Sequence, residues 1–221
     1  MKAKLTESQE DYLKQIYLLT EQDNELVSTV ALSDKLKLKP ASITNMLKKL
    51  SDLHLIEYQP YQGVRLSESG RLVALEVLRH HRLVELYLSE ILGFGWDEVH
   101  EEAEKLEHVI SERLEARISE KLGHPTHDPH GDPIPSVDLK LPDGPAITPL
   151  THLTSGSNGV ISRVTTQDSD ALNMLSRLNL TLNATVEILE SERNGVRIQT
   201  ENDRFLLPIE LASKIWIKTT S

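Results

Sequence analysis

The feature that most constrains this chain is a change of hydrophobic period. Apolar residues recur at helical spacing through most of the first 122 positions and alternate from Val160 onward. Between these regions, residues 124–158 carry "HPTHDPHGDPIP", "LPDGP" and "LTSGSNG", a Pro- and Gly-rich stretch that reads as loop and linker. Such a pattern implies a mainly α N-terminal part followed by a small β domain. At 221 residues the chain is long enough for more than one domain.

Residues 7–20, "ESQEDYLKQIYLLT", form an amphipathic helix with Tyr12, Ile16 and Leu19 on one face. In "ELVSTVALSDKLKL", Ser28 suits the cap of a short helix with Val30, Leu32 and Leu36 inside. In "KPASITNMLKKLSDLHLIEY", Pro40 suits the first turn of a further helix, whose buried stripe is Ile43, Leu47 and Leu50. A hairpin follows: "LIEYQ", a turn at "PYQG" that uses Gly63, and "VRLS". This is the pattern of a winged helix-turn-helix, and a long helix in "SESGRLVALEVLRHHRLVELYLSEIL" continues it. A second long helix is expected from about Asp97 to Leu122, stopped by Gly123 and Pro125. Beyond Val160, short strands with turns such as "ERNG", and one short helix in "SDALNMLSRLN", predict a small β-barrel. The expected boundaries are a winged helix-turn-helix at 1–73, a helical domain at 74–140, a linker at 141–158 and the barrel at 159–221.

There is no cysteine, which excludes disulfides and thiolate metal sites and fits a cytoplasmic protein. No apolar run spans a bilayer, and the N-terminus is polar before it becomes helical, unlike a signal peptide. The net charge of −10 alone argues against nucleic acid as a partner. The charge is unevenly spread, however. Lys35, Lys37, Lys39, Lys48, Lys49 and Arg65 gather around the helix Pro40–Leu53, while acidic residues concentrate at 97–120. On that helix Ala41, Ser42, Thr44 and Asn45 are early exposed positions able to reach base edges, and the lysines can neutralise phosphates. The alternative is a winged helix used for protein contacts, with ordinary solvated lysines.

In "EEAEKLEHVI", residues 101–110, helical spacing puts Glu104, Glu107 and His108 on one face, with His100 one turn earlier. His81 and Glu85 repeat the arrangement on the preceding helix, and Asp11 is a candidate from the first. Oxygen donors with imidazole suit manganese or iron(II); zinc or cobalt could bind the same set. The competing reading is a solvated surface helix with pairs such as Glu101 with Lys105. A metalloenzyme is a further alternative, but the chain has no nucleophile motif, phosphate loop or two-histidine zinc-protease motif. A winged-helix regulator that senses an organic ligand is another.

The order "EDYLKQIY", winged helix-turn-helix, "RHHRLVE", "VHEEAEKLEHVISERL" and "DPHGDPIP" over about residues 7–135 resembles the diphtheria-toxin-repressor family of metal-dependent regulators. The resemblance implies a homodimer that binds double-stranded operator DNA when loaded with metal and does no catalysis, with 74–140 as the helical metal-binding and dimerisation domain and 159–221 as an SH3-like β-barrel. Its iron-responsive branch has methionine and cysteine at the positions of Asp11 and Glu104. Carboxylates here resemble the manganese-responsive branch, with manganese(II) as the expected ion. The implied primary site is Asp11, Glu104, Glu107 and His108, with His81 as a neighbour. Small manganese regulators of this kind can carry a glutamate where this chain has Lys14. A second site is implied near His81, Glu85 and His100, with Asp128 and His130 of "DPHG" and Asp168 of the C-terminal domain as further ligands.

Overall fold

The computed structural model describes residues 5–23, 26–60, 62–201 and 203–220. The chain forms two compact units. The first comprises Met1–His81, Leu106–Ile110 and Pro135–Lys140; the second comprises Arg82–Lys105, Ser111–Ile134 and Leu141–Ser221. Among the described residues no helix is long and apolar enough to cross a membrane.

In the first unit, α1 (Glu7–Asp23), α2 (Thr29–Leu36) and α3 (Pro40–Asp52) precede the antiparallel hairpin β1 (Ile56–Gln59) and β2 (Gly63–Leu66). Ser28 caps α2 by accepting the Ala31 N–H, and Pro40 opens α3 at a position where a missing N–H costs nothing. Tyr12, Leu13 and Ile16 of α1, Leu32 of α2 and the Ile43–Leu47–Leu50 stripe of α3 are buried. Val30, expected inside, is 65% exposed. Val27 bridges Val64, and Gly63 at φ +132 presses against the Val27 carbonyl, so this position tolerates no side chain. Tyr61, in the expected turn, lies outside the described residues. The long helix α4 (Glu68–Leu92) begins in this unit.

The expected second long helix is two helices. α5 (Val99–Leu106) ends before Glu107, and α6 (Glu112–Lys121) starts afresh with Ser111 as its cap, accepting from Leu114 N. The end of α5 and the residues after it, Leu106–Ile110, pack in the first unit. Glu107 is buried there, which a straight surface helix would not provide. In the second unit, Leu83 of α4, Ile118 of α6 and Ile134 of the following loop form a small core.

The C-terminal part is a six-stranded antiparallel sheet: β3 (Thr148–Pro149), β8 (Ile215–Thr219), β4 (Asn158–Val164), β5 (Thr185–Glu192), β6 (Gly195–Gln199) and β7 (Arg204–Pro208), in that spatial order. Helices α7 (Ser169–Arg177) and α8 (Ile209–Ala212) accompany it. Among the described residues β3 and β7 are not paired with each other, so the SH3-like sheet is open there. β3 lies within the stretch read as linker, because Thr148 and Pro149 pair with Ile217 and Trp216 and Leu150 joins the sheet core. β4 carries a bulge at Ser162, where its register against β8 shifts between Ile161 and Arg163.

Candidate metal centres and nucleic-acid face

In the first unit, α1 brings Glu10, Asp11 and Lys14 to the turn that follows α5, where Glu107 and His108 sit. His108 Nε2 is 3.0 Å from Asp11 Oδ1 and 3.2 Å from Glu107 Oε1. Its Nδ1–H donates to Glu10 Oε2 at 2.7 Å. Lys14 Nζ donates to Glu107 Oε1 at 2.5 Å, with both side chains almost wholly buried. His81 Nδ1 bonds Glu107 Oε2, and His80 Nδ1–H donates to the Glu107 carbonyl at 3.1 Å, fixing the turn.

Burial pushes the Asp11 carboxyl up, more than the His108 and Lys14 charges lower it. Burial also opposes ionisation of Glu107, but the His81 bond and the Lys14 ammonium outweigh it and hold that carboxyl below its usual range. For His108, burial favours the neutral ring, yet Glu10, Glu107 and Asp11 together raise it. Asp11, Glu107 and His108 each offer one ligand atom, all within 4.8 Å of one another. The centre therefore has two carboxylates and one imidazole nitrogen converging, and Nδ1 of that ring is fixed by a third carboxylate. A divalent cation would replace the proton that His108 Nε2 and Asp11 share.

The second unit holds another cluster. Glu85 (α4), Asp128 and His130 are all buried, and one ligand atom of each lies within 4.8 Å of the others. His130 Nε2–H donates to the Trp96 carbonyl at 2.7 Å, and the two rings stack at 5.8 Å. That bond fixes the tautomer and leaves Nδ1 facing Glu85 Oε2 at 3.8 Å. Nδ1 is buried with no hydrogen-bond partner among the described residues. Burial disfavours the imidazolium, but the Glu85 carboxylate outweighs it and His130 is pushed up to about 9. Burial, then the Asp132 and Glu85 charges, pushes Asp128 well above the usual carboxylate range. His100 Nδ1 is 3.3 Å from Glu85 Oε1, and its Nε2 is 3.8 Å from Glu104 Oε1.

Of the residues read as primary ligands, the first unit thus brings together Asp11, Glu107 and His108, with His81 on Glu107. Glu104 stands in the second unit beside His100. Of the second set, Glu85 converges with Asp128 and His130 and also adjoins His100, whereas Asp168 is the exposed N-cap of α7, its Oδ1 accepting from Ala171 N. Lys105 pairs with Glu102, not Glu101. His124 and His127 are exposed. Glu10 and Lys14 carry no ligand signal of their own in the sequence; the adjacency of Glu10 to Asp11 is the one hint.

On α3, Ala41, Ser42, Asn45, Lys48 and Lys49 are exposed, as is Lys39 before it. Thr44 turns its hydroxyl back to the Pro40 carbonyl at 3.0 Å, so its methyl remains for an outside contact. Arg65 in the wing is bonded to Glu57, which offsets its charge.

Three family models match the chain: the iron dependent repressor N-terminal DNA binding domain at 4–64, the iron dependent repressor metal binding and dimerisation domain at 67–136, and the FeoA domain at 148–219. An uncharacterised helix-turn-helix regulator of Methanocaldococcus jannaschii is 39% identical over 114 residues, 52% of this chain and 91% of that one. The iron-dependent repressor of Mycobacterium tuberculosis is 30% identical over 227 residues, covering 97% of this chain and 98% of that one. The solved structure of a manganese-dependent transcriptional repressor in complex with manganese superimposes with a TM-score of 0.90 at 33% identity, over 96% of this chain and all of that one. A winged helix-turn-helix, a helical segment rich in carboxylates and imidazoles, and an SH3-like sheet thus follow one another here as they do along those full-length relatives, and the chain belongs to the diphtheria-toxin-repressor family of metal-dependent DNA-binding repressors.

Proposed function

We propose that this chain is a manganese(II)-activated homodimeric repressor that binds operator DNA in the cytoplasm and controls metal-ion homeostasis genes. One observation carries the reading. Asp11, Glu107 and His108 converge with oxygen and imidazole donors and no sulfur, a set that suits manganese better than softer ions. These three would hold the activating ion, with Glu10 orienting His108. Glu85, Asp128 and His130 would hold a second ion, with His100 and Glu104 beside them. Bound at the first centre, the ion supplies positive charge to a carboxylate cluster and ties α1, which leads into the DNA-reading helices, to the 106–110 turn. Metal then favours the DNA-competent arrangement by its higher affinity for it. Lys39, Ala41, Ser42, Thr44, Asn45, Lys48 and Lys49 would meet the DNA, with Arg65 at the wing. Iron(II) is the second reading, favoured by the match to the iron-dependent repressor of M. tuberculosis; zinc(II) and cobalt(II) suit the same donors.

The test is binding of metal-free protein to DNA flanking its own gene and metal-transporter genes, at fixed salt, with chelator, manganese(II), reduced iron(II) or zinc(II). Manganese-dependent binding that Asp11→Ala abolishes, in a variant that remains folded, is expected. Equal binding with chelator and metal overturns the reading. Asp11→Met should shift the metal ranking toward iron(II), zinc and cobalt; an unchanged ranking means ligand type does not select the ion.

A further inference from the structure

The loop 127–132 that carries Asp128 and His130 is held from behind by β4. The bulge at Ser162 turns its carbonyl toward Gly131, where a Cβ would collide with it; Gly131 itself sits at φ +82. On either side of that contact, Val164 N–H donates to the His130 carbonyl at 2.8 Å, and Arg163 Nε donates to Asp132 Oδ1 at 2.6 Å. A second Arg163 nitrogen pairs with the same oxygen. From the other side, Arg82 of α4 donates to the Pro133 carbonyl at 2.6 Å. Inside the loop, Asp128 Oδ1 accepts the N–H groups of His130 and Asp132 at 2.8 and 2.9 Å, so Asp132, Asp128 and His130 move as one piece.

We infer that the Ser162 bulge and the Arg163–Asp132 pair position the buried Glu85–Asp128–His130 cluster for a divalent cation, making Arg163 a positioning residue of that site. The inference rests on the proposed metal-binding role of this cluster and adds how the C-terminal sheet acts on it: by supporting the loop. A bulge serves this purpose because it breaks the pairing of β4 with β8 and re-aims the next side chain, Arg163, at the loop. Supporting residues of this kind typically change metal affinity 10- to 100-fold.

The test uses the full chain with Asp11→Ala, which disables the first centre, and Trp216→Phe, which leaves Trp96 as the only tryptophan. Manganese(II) alone is titrated, read by calorimetry and by paramagnetic quenching of Trp96, whose ring stacks on His130. Arg163→Met should weaken manganese binding by about 10-fold or more and move the quenching curve with it, while Arg163→Lys restores part of both. Asp132→Asn, which keeps the side-chain volume, should weaken binding in the same direction even if Arg163→Met folds poorly. Unchanged affinity and quenching in both Arg163→Met and Asp132→Asn overturn the positioning role while leaving the metal site standing. Absence of any manganese signal sensitive to His130→Ala in the parent overturns the metal reading of the cluster and this inference with it.

Discussion

Glu10 accepts a hydrogen bond from Nδ1 of His108 at 2.7 Å, so the opposite ring nitrogen, Nε2, is the one turned toward Asp11 and Glu107. A carboxylate behind a ligating imidazole fixes its orientation and tautomer and raises its basicity. Glu10→Gln keeps the shape but removes the charge. Manganese(II) affinity of the first centre should fall by about 10- to 100-fold, with little change in the unfolding midpoint of the metal-free protein. Calorimetric titration of the variant against the parent decides it; equal affinities would mean Glu10 is only a surface acid.

The buried Lys14–Glu107 pair gives a different expectation. Removing one member of a buried pair leaves an uncompensated charge and costs about 3–5 kcal/mol. Lys14→Met should therefore destabilise the metal-free protein by roughly that amount, and manganese(II) should recover a large part of it, because the ion supplies the charge that Glu107 has lost. Urea denaturation with and without metal measures both. A loss that metal does not reduce would show that Lys14 serves packing alone.

Much of the first unit is legible in the sequence because its signals are local. Ser28, Pro40 and the Ile43–Leu47–Leu50 stripe each act over a few residues. The break between α5 and α6 is not, since the apolar and acidic periodicity of "VHEEAEKLEHVISERL" runs straight through it. Only Ser111, a capping residue, hints at it, and what ends α5 is the burial of Glu107 among Lys14, His80 and His81, distant in sequence. The same reason hid the loop 127–132. Its Pro and Gly content reads as linker, but its burial comes from Arg82, Trp96 and the Ser162 bulge, which pattern alone does not place. Asp168 shows why a lone carboxylate is ambiguous in sequence: in a loop before a helix it serves as readily to cap the helix as to bind metal, and here its Oδ1 caps α7.

The buried imidazoles set a pH dependence for the metal-free protein. His130 is pushed from 6.5 up to about 9 by Glu85, and Glu10, Glu107 and Asp11 raise His108. A raised histidine stabilises the fold fully below its unfolded value, and that contribution is lost as pH climbs through the folded value. Asp128, held well above its usual range, stays protonated where the unfolded carboxyl has ionised, so it also works against folding at neutral and alkaline pH. Stability should thus fall between pH 6.5 and 9, by about 3 kcal/mol from His130 alone. Manganese(II) replaces the protons, so its stabilising effect should grow over the same window. Thermal unfolding across that range, with His130→Gln as the flattened control, is the measurement; a flat profile for the metal-free parent refutes the assignment.

The DNA face makes separable predictions. Asn45 is exposed near the start of α3 and can pair bidentately with adenine, whereas Lys48 and Lys49 lie further along and offer only charge. Asn45→Ala should cost about 1–3 kcal/mol against the best operator and relax preference at one base position. Lys48→Ala should weaken all sequences alike and reduce the salt slope by about 1. The Thr44 hydroxyl is already committed to the Pro40 carbonyl, so Thr44→Val, which retains a methyl, should bind almost as the parent does. Competition binding to a randomised operator pool at several salt concentrations, with saturating manganese(II), reads all three. A uniform loss in Asn45→Ala, with no change in base preference, would move sequence reading away from the N-terminal turns of α3.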